Sequence, residues 1–150
     1  MAATVLLIED SRFIRATSQR ELMSAGYRVL MASDGANGLR MARESMPDLI
    51  LLDMMLPLIA GADVLRSLKE DEQTADIPVI ILSSLPQKSS MKLKQGDVAG
   101  YIEKSALLAG ESKVIVRTLK AALVRQADTR ADRSGVPRPD SSKALLGTRS

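Results

Sequence analysis

Cysteine, histidine and tryptophan are absent from the 150 residues, and aromatic side chains are scarce. The lack of cysteine excludes disulfides and thiolate metal sites. One Phe and two Tyr offer few surfaces on which nucleobases could stack. No apolar run approaches the ~18 residues of a membrane-spanning helix, and the amino terminus shows no signal-peptide pattern. We therefore expect a cytoplasmic protein that has no membrane partner.

Positive charge is in excess, with a net charge of +3 and an isoelectric point near 9.4. The excess is confined to residues 125–150, which hold six Lys or Arg and three Asp. Residues 1–124 are balanced, with 15 basic and 15 acidic side chains. A balanced body with few aromatic residues lacks the basic face that is typical of nucleic-acid-binding domains. We therefore expect no direct nucleic-acid partner.

Apolar strand-like runs alternate with helical patterns along most of the chain. This alternation is typical of a parallel sheet that is covered by helices on both faces. The length and the 45% of hydrophobic residues suit a single domain with a substantial core. We expect a doubly wound sheet of five parallel strands in the order 2-1-3-4-5. The strands are predicted near residues 4–9, 27–32, 48–53, 78–83 and 98–102.

Helix boundaries follow from capping and breaking residues. The first helix is predicted to start at the Ser11 cap and to stop at Gly26. Pro47 ends the second helix, the third begins near Gly61, and a fourth lies between the last two strands. A last helix is predicted at about 107–126.

The carboxyl-terminal segment has a different composition from the rest of the chain. It shows little apolar periodicity and contains several Pro, Gly and Ser residues. We therefore place the domain in residues 1–126 and expect residues 127–150 to be a disordered tail or linker.

Polar residues stand where four of the apolar runs stop. In a parallel sheet the carboxyl ends of the strands meet at one edge, so residues far apart in sequence converge there. We expect a site formed by three carboxylates, a hydroxyl and an ammonium. These groups belong to Glu9, Asp10, Asp53, Ser83 and Lys104.

The same residue types suit phosphoryl chemistry. Asp10 and Asp53 offer the hard oxygen ligands that Mg²⁺, or another divalent cation such as Mn²⁺, prefers, and Glu9 adds negative charge. Asp53 is able to attack phosphorus and form an acyl phosphate, while Lys104 and the Ser83 hydroxyl stabilise the phosphoryl oxygens. Taken singly, these residues also have simpler interpretations, since Asp often caps a helix or forms a turn.

These residues and their surroundings resemble the receiver domain of two-component response regulators, over roughly residues 4–125. The family's phosphoacceptor motif is similar to LILLDMMLPLIAG, its switch motif to PVIILSS and its lysine motif to GYIEKS. By this resemblance the acidic pair is Glu9 and Asp10, the phosphoacceptor Asp53, the switch residues Ser83 and Tyr101, and the lysine Lys104. The backbone carbonyl of Met55 is expected to complete the metal site.

The resemblance implies a flavodoxin-like fold and a single-domain, chemotaxis-regulator-like signalling switch. A histidine kinase or phosphotransfer protein would donate the phosphoryl group, since this chain has no histidine. The chain would catalyse only its own phosphorylation and dephosphorylation, so it is no turnover enzyme. Output is expected through the fourth helix, the fifth strand and the fifth helix toward a downstream protein. A phosphorylation-dependent homodimer is also compatible with the family.

Some positions depart from the family pattern. Ser105 replaces the usual proline after the lysine, which leaves open whether the Lys104–Ser105 bond is cis or trans, and Ala60 replaces a usual Asp. Because of these departures, the alternative function is a receiver-shaped protein-interaction module that works without phosphorylation. Tyr101 is compatible both with packing at the sheet edge and with a switching role. Met55 and Leu85 place apolar side chains where hydrolytic water would approach, which predicts a long-lived phosphorylated state.

Three other functions fit the residues less well. A dinucleotide-binding enzyme needs glycines after the first strand, where this chain has EDSRF. A haloacid-dehalogenase-like phosphatase carries a second Asp two residues after its nucleophile, where Met55 stands here. A flavodoxin-like electron carrier needs aromatic side chains against its flavin, and only Phe13, Tyr27 and Tyr101 are available.

Overall fold

The computed structural model describes residues 2–84, 97–111 and 113–134. Within these ranges the chain alternates between strands and helices. The strands are β1 (Thr4–Ile8), β2 (Arg28–Ala32), β3 (Leu49–Asp53), β4 (Val79–Ser83) and β5 (Gly100–Glu103). The helices are α1 (Arg12–Ser24), α2 (Gly35–Ser45), α3 (Gly61–Glu70), α4 (Lys104–Leu108) and α5 (Lys113–Ser134).

The five strands form one parallel sheet in the order β2-β1-β3-β4-β5, which confirms the predicted fold. The register brings the carboxyl ends of the central strands to one level. Ile8 of β1 pairs with Leu52 of β3, and the following residue of β3, Asp53, pairs with Leu82 of β4. Polar residues that follow these strands therefore share one edge of the sheet.

Each central strand is apolar on both sides because helices cover both faces of the sheet. In β1, Val5 and Leu7 join the core that also contains residues of α1 and α5. Leu6 and Ile8 join the opposite core, which contains residues of α2 and α3. The alternation follows from the two-residue period of a strand.

Local signals at the ends of α1 match their prediction. The Ser11 side chain accepts a hydrogen bond from the backbone N–H of Ile14, which caps the first turn. The helix ends at Ser24, and Gly26 follows with φ of +96°, a conformation that favours glycine.

The prediction for the last helix was wrong at both ends. Instead of one helix at about 107–126, the chain forms α4, a turn at Gly110 with φ of +87°, and then α5. Residues 127–134, which were predicted to be disordered, belong to α5. The two Ala and two Arg of this segment favour a helix through intrinsic propensity, although the segment lacks an apolar stripe.

Parts of the prediction lie outside the described residues. These are the helix expected between β4 and β5, Leu85, and residues 135–150. Among the helices that the structure does describe, none combines the length and the apolar character needed to span a membrane.

Candidate functional site

The structure brings the predicted polar residues together at the carboxyl edge of the sheet. Glu9 follows β1, Asp53 ends β3, Ser83 ends β4, and Lys104 follows β5. Carboxylate oxygens of Glu9, Asp10 and Asp53 all lie within 4.8 Å of one another. Glu9 and Asp53 are buried, whereas Asp10 is exposed at the rim. The site is therefore an acidic pocket that is open to solvent on the Asp10 side.

Lys104 ties two of the carboxylates together. Its Nζ lies 2.8 Å from Asp53 Oδ1 and 3.1 Å from Glu9 Oε1, and the lysine side chain is only 13% exposed. The Lys104–Ser105 peptide bond is trans. The lysine therefore reaches the phosphoacceptor candidate without the proline that follows it in the family pattern.

Asp53 is held on one of its two oxygens. Oδ1 accepts the backbone N–H of Met55 at 3.0 Å in addition to the contact with Lys104. Oδ2 is buried and has no hydrogen-bond partner among the described residues. Gly61 packs directly against the backbone of Asp53 and Met54, where any side chain would collide. The loop after β3 therefore packs closely against the sheet, and Oδ2 is the Asp53 oxygen whose hydrogen-bonding capacity is unused within the described residues.

Glu9 is a buried carboxylate whose charge is only partly compensated. Oε2 accepts the backbone N–H of Ser11 at 3.0 Å and Lys104 Nζ at 3.3 Å. Burial raises the pKa of Glu9, and the charge of Asp53 adds to this rise, while Ser11 and Lys104 oppose it. Oε1 makes no hydrogen bond within the described part of the chain, although it lies close to Lys104.

The pKa of Lys104 is also raised, but by its charged partners and not by burial. Burial alone would lower the pKa of Lys104, but the hydrogen bond to Asp53 and the charge of Glu9 outweigh it. The net effect raises the pKa of Lys104 above that of a free lysine. At neutral pH the pocket therefore contains a protonated ammonium between two carboxylates.

The pocket suits a divalent cation of the magnesium type. Mg²⁺ takes oxygen ligands, uses one or two carboxylates and keeps several waters. The buried Asp53 Oδ2 lacks a hydrogen-bond partner among the described residues, which is unfavourable unless a ligand compensates it. Glu9 Oε1 has only its ion pair with Lys104. Asp10 is exposed and leaves room for water on the outer side. Asp10 and Asp53 would hold the ion, and Glu9 would support it.

The remaining predicted residues occupy the rim and the neighbouring strands. Ser83 is buried at the end of β4, and Tyr101 in β5 is partly buried. Tyr101 pairs with Ile81, two residues before Ser83, so Ser83 and Tyr101 lie on the same face of the sheet. The Met55 side chain is 70% exposed beside the pocket, and its N–H rather than its side chain contacts Asp53.

Two contributors escaped the sequence analysis. Gly61 shapes the loop after β3, and Arg15 donates from Nη1 to the backbone carbonyl of Glu9 at 2.8 Å. Gly61 was recognised only as a helix start. Nothing in the sequence distinguishes Arg15 from the neighbouring surface arginines of α1, because its partner is a backbone atom.

Comparison with known proteins agrees with this geometry. The sequence matches the response regulator receiver domain family over residues 5–121. It is 33% identical over 105 residues to the polar-differentiation response regulator DivK of Brucella ovis, covering 69% of this chain and 85% of DivK. It is 45% identical over 83 residues to the DNA-binding dual master transcriptional regulator RpaA of Synechocystis, covering 55% of this chain but only 34% of RpaA.

A solved structure adds a comparison of fold. The phosphorylated cyanobacterial phytochrome response regulator RcpA superposes with a TM-score of 0.67 at 27% sequence identity. The superposition covers 77% of this chain and 89% of RcpA.

Proposed function

The chain belongs to the response regulator receiver domain family of two-component systems, and from that premise we propose that it is a phosphorylation-controlled signalling switch with Asp53 as phosphoacceptor. The observation that supports this best is the state of Asp53. It is buried, its Oδ1 contacts Lys104, and its Oδ2 has no hydrogen-bond partner in the described residues. A carboxylate that only capped a helix or formed a turn would not need a lysine from the end of another strand.

The proposed reaction moves one phosphoryl group between proteins. A carboxylate oxygen of Asp53 forms a bond to phosphorus while the phosphorus–nitrogen bond of the donor's phosphohistidine breaks. The bonding electrons stay on the donor's imidazole nitrogen. Lys104 lies beside the reacting carboxylate and stabilises the negative charge of the phosphoryl oxygens. A bound Mg²⁺ would supply further positive charge to those oxygens.

Release of the signal is the hydrolysis of the acyl phosphate at Asp53. Water adds to phosphorus, the bond to Asp53 breaks, and inorganic phosphate leaves with the carboxylate restored. The chain thus acts on itself, as members of its family do, and is not a turnover enzyme. Because Met55 offers no polar side-chain group to that water, we propose a long-lived phosphorylated state.

Output would pass from the pocket to the edge strand β5. Ser83 ends the strand next to β5, and Tyr101 lies on the same face of the sheet. A phosphoryl group on Asp53 would draw the Ser83 hydroxyl inward, and Tyr101 would follow, which shifts the population of two surface states. We propose that a downstream protein reads the surface of β5, α5 and the helix expected before β5, or that this surface forms a homodimer.

Mass spectrometry tests the phosphoacceptor directly. The full chain is incubated with acetyl phosphate and Mg²⁺, and we expect a mass gain of one phosphoryl group that requires the metal. Asp53→Asn should abolish the gain, because the amide is not a nucleophile at this site. Asp63→Asn is the matched control, since Asp63 lies on the exposed surface of α3 in an ion pair with Arg66.

The outcomes separate the two candidate functions. A gain in the parent and in Asp63→Asn, but not in Asp53→Asn, supports the switch. No gain in the parent, with acetyl phosphate and Mg²⁺ both saturating, contradicts it and favours the module that works without phosphorylation.

A further inference from the structure

The side chain of Arg15 contacts the backbone of Glu9 at the acidic corner of the site. Its Nη1 donates to the carbonyl oxygen of Glu9 at 2.8 Å. That carbonyl belongs to the peptide group that joins Glu9 to Asp10, where the chain leaves β1 and turns into α1. On the other side of Glu9, its N–H donates to the carbonyl of Ala32 at 3.0 Å and so continues the pairing with β2. The two peptide groups that flank Glu9 are thus held by separate contacts.

We propose that Arg15 is a positioning residue that orients the Glu9–Asp10 peptide for divalent-metal binding. The inference rests on the proposed function, because it assigns a task within the same metal site. Asp10 is exposed, so its own burial does not fix the direction of its carboxylate. The direction in which the Asp10 side chain leaves the backbone is set by the peptide before it. Arg15 holds that peptide from α1, a helix anchored by the buried Ile14, Ser18 and Leu22.

The direction in which metal affinity changes when Arg15 is replaced distinguishes positioning from a simple effect of charge. The Arg15 guanidinium adds positive charge beside the backbone of this acidic site, so its removal should strengthen cation binding by charge alone. Loss of the hydrogen bond to the Glu9 carbonyl releases the peptide and should weaken metal binding. The two effects oppose each other, and a fall in affinity shows that positioning outweighs charge.

The test is calorimetric titration of the full chain with Mg²⁺. Arg15→Met keeps the apolar length of the side chain but removes every donor, and we expect a dissociation constant about tenfold higher than in the parent. Changes to groups that orient metal ligands typically weaken binding by about 10–100-fold. Arg15 acts less directly, through the peptide before Asp10, so we expect the lower end of that range. Arg12→Met is the matched control, since Arg12 is exposed in the same turn of α1. It should bind Mg²⁺ as the parent does or slightly more tightly.

A second measurement separates positioning from a loss of stability. Thermal midpoints are recorded with and without saturating Mg²⁺ in the parent, Arg15→Met and Arg15→Lys. A purely structural role would lower both midpoints and leave the Mg²⁺-dependent rise unchanged. A positioning role reduces the rise, and Arg15→Lys should recover part of it because an ammonium can still donate to a carbonyl.

Each result decides between the possibilities. If Arg15→Met binds Mg²⁺ as tightly as Arg12→Met while the parent binds normally, Arg15 does not position the site. If Arg15→Met binds more weakly and its rise is smaller, the proposal holds. If the parent itself neither binds Mg²⁺ nor accepts phosphate from acetyl phosphate, the proposed function fails and the assignment of Arg15 fails with it.

Discussion

Replacing Lys104 with methionine tests how the pocket tolerates its buried carboxylates. The lysine Nζ contacts Asp53 Oδ1 at 2.8 Å and Glu9 Oε1 at 3.1 Å, and both carboxylates are buried. Methionine keeps the apolar stem of the side chain but removes its charge. Glu9 and Asp53 then lose a shared counter-ion, so we expect the variant to be destabilised when no divalent metal is present.

The size of the loss follows from two limits. Removing one partner of a buried ion pair typically costs about 3–5 kcal/mol. Glu9 can avoid this penalty by becoming protonated. Relative to an unfolded chain in which Glu9 has its ordinary pKa of 4.5, protonation costs about 3.4 kcal/mol at pH 7. We therefore expect a loss of about 3 kcal/mol, which lowers the thermal midpoint of a domain of this size by about 10–15 °C.

The pH dependence has a defined sign. The pKa of Glu9 is already raised by burial, and loss of Lys104 would raise it further. Protonation becomes easier as the pH falls toward that pKa, so the penalty in Lys104→Met should shrink to about 1.4 kcal/mol at pH 5.5. The gap between parent and variant is therefore largest at neutral pH and narrows in acid.

The assay is thermal unfolding in EDTA and in saturating Mg²⁺, followed by circular dichroism. Lys113→Met is the matched control, because Lys113 is exposed at the start of α5. Mg²⁺ places positive charge beside the same oxygens, so it should raise the midpoint of Lys104→Met more than that of the parent. The reasoning is refuted if Lys104→Met in EDTA stays within about 3 °C of the Lys113→Met control, a shift of under 1 kcal/mol.

Two further predictions concern the loop after β3. Met55→Asn should shorten the lifetime of phosphorylated Asp53 by about tenfold or more, because an amide can align the attacking water; Met55→Leu is the control, and equal decay by phosphate release in both would contradict it. Leu58 is 97% exposed and has φ of +71°, which is unfavourable for a residue with a branched side chain. Leu58→Asn should therefore raise the free energy of unfolding by about 0.5–1 kcal/mol. Leu58→Ala, which lacks the short polar side chain that lets Asn adopt this conformation, should give no such gain in urea unfolding.

The sequence analysis succeeded where local pattern and global fold agree. Continuous apolar runs at β1, β3 and β4 predicted buried parallel strands, and the polar residue after each run marked the edge where they meet. The convergence of Glu9, Asp53 and Lys104 followed from that edge. These features were predictable because a two-residue period and a parallel register leave few alternatives.

The sequence analysis failed where the structure depends on backbone conformation or on backbone contacts and not on a pattern of side chains. The break between α4 and α5 depends on the left-handed backbone conformation of Gly110. The sequence alone does not show that this glycine ends a helix. Residues 127–134 are helical although their sequence has no apolar stripe, so the apolar pattern did not predict them. Arg15 escaped because its partner is the carbonyl of Glu9.

The charges of the pocket suggest why phosphorylation would move the switch residues. Glu9, Asp10 and Asp53 carry about three negative charges against the one positive charge of Lys104, and the difference equals the charge of one divalent ion. When Asp53 is phosphorylated, a charge of about −2 replaces the single negative charge of its carboxylate. Lys104 and one divalent ion then leave about one negative charge uncompensated. Among the described residues only Lys104 forms an ion pair with these carboxylates, so we expect neutral hydrogen-bond donors to compensate the added charge. The Ser83 hydroxyl is buried at the end of the adjacent strand, and its movement toward Asp53 would open space along the face that it shares with Tyr101.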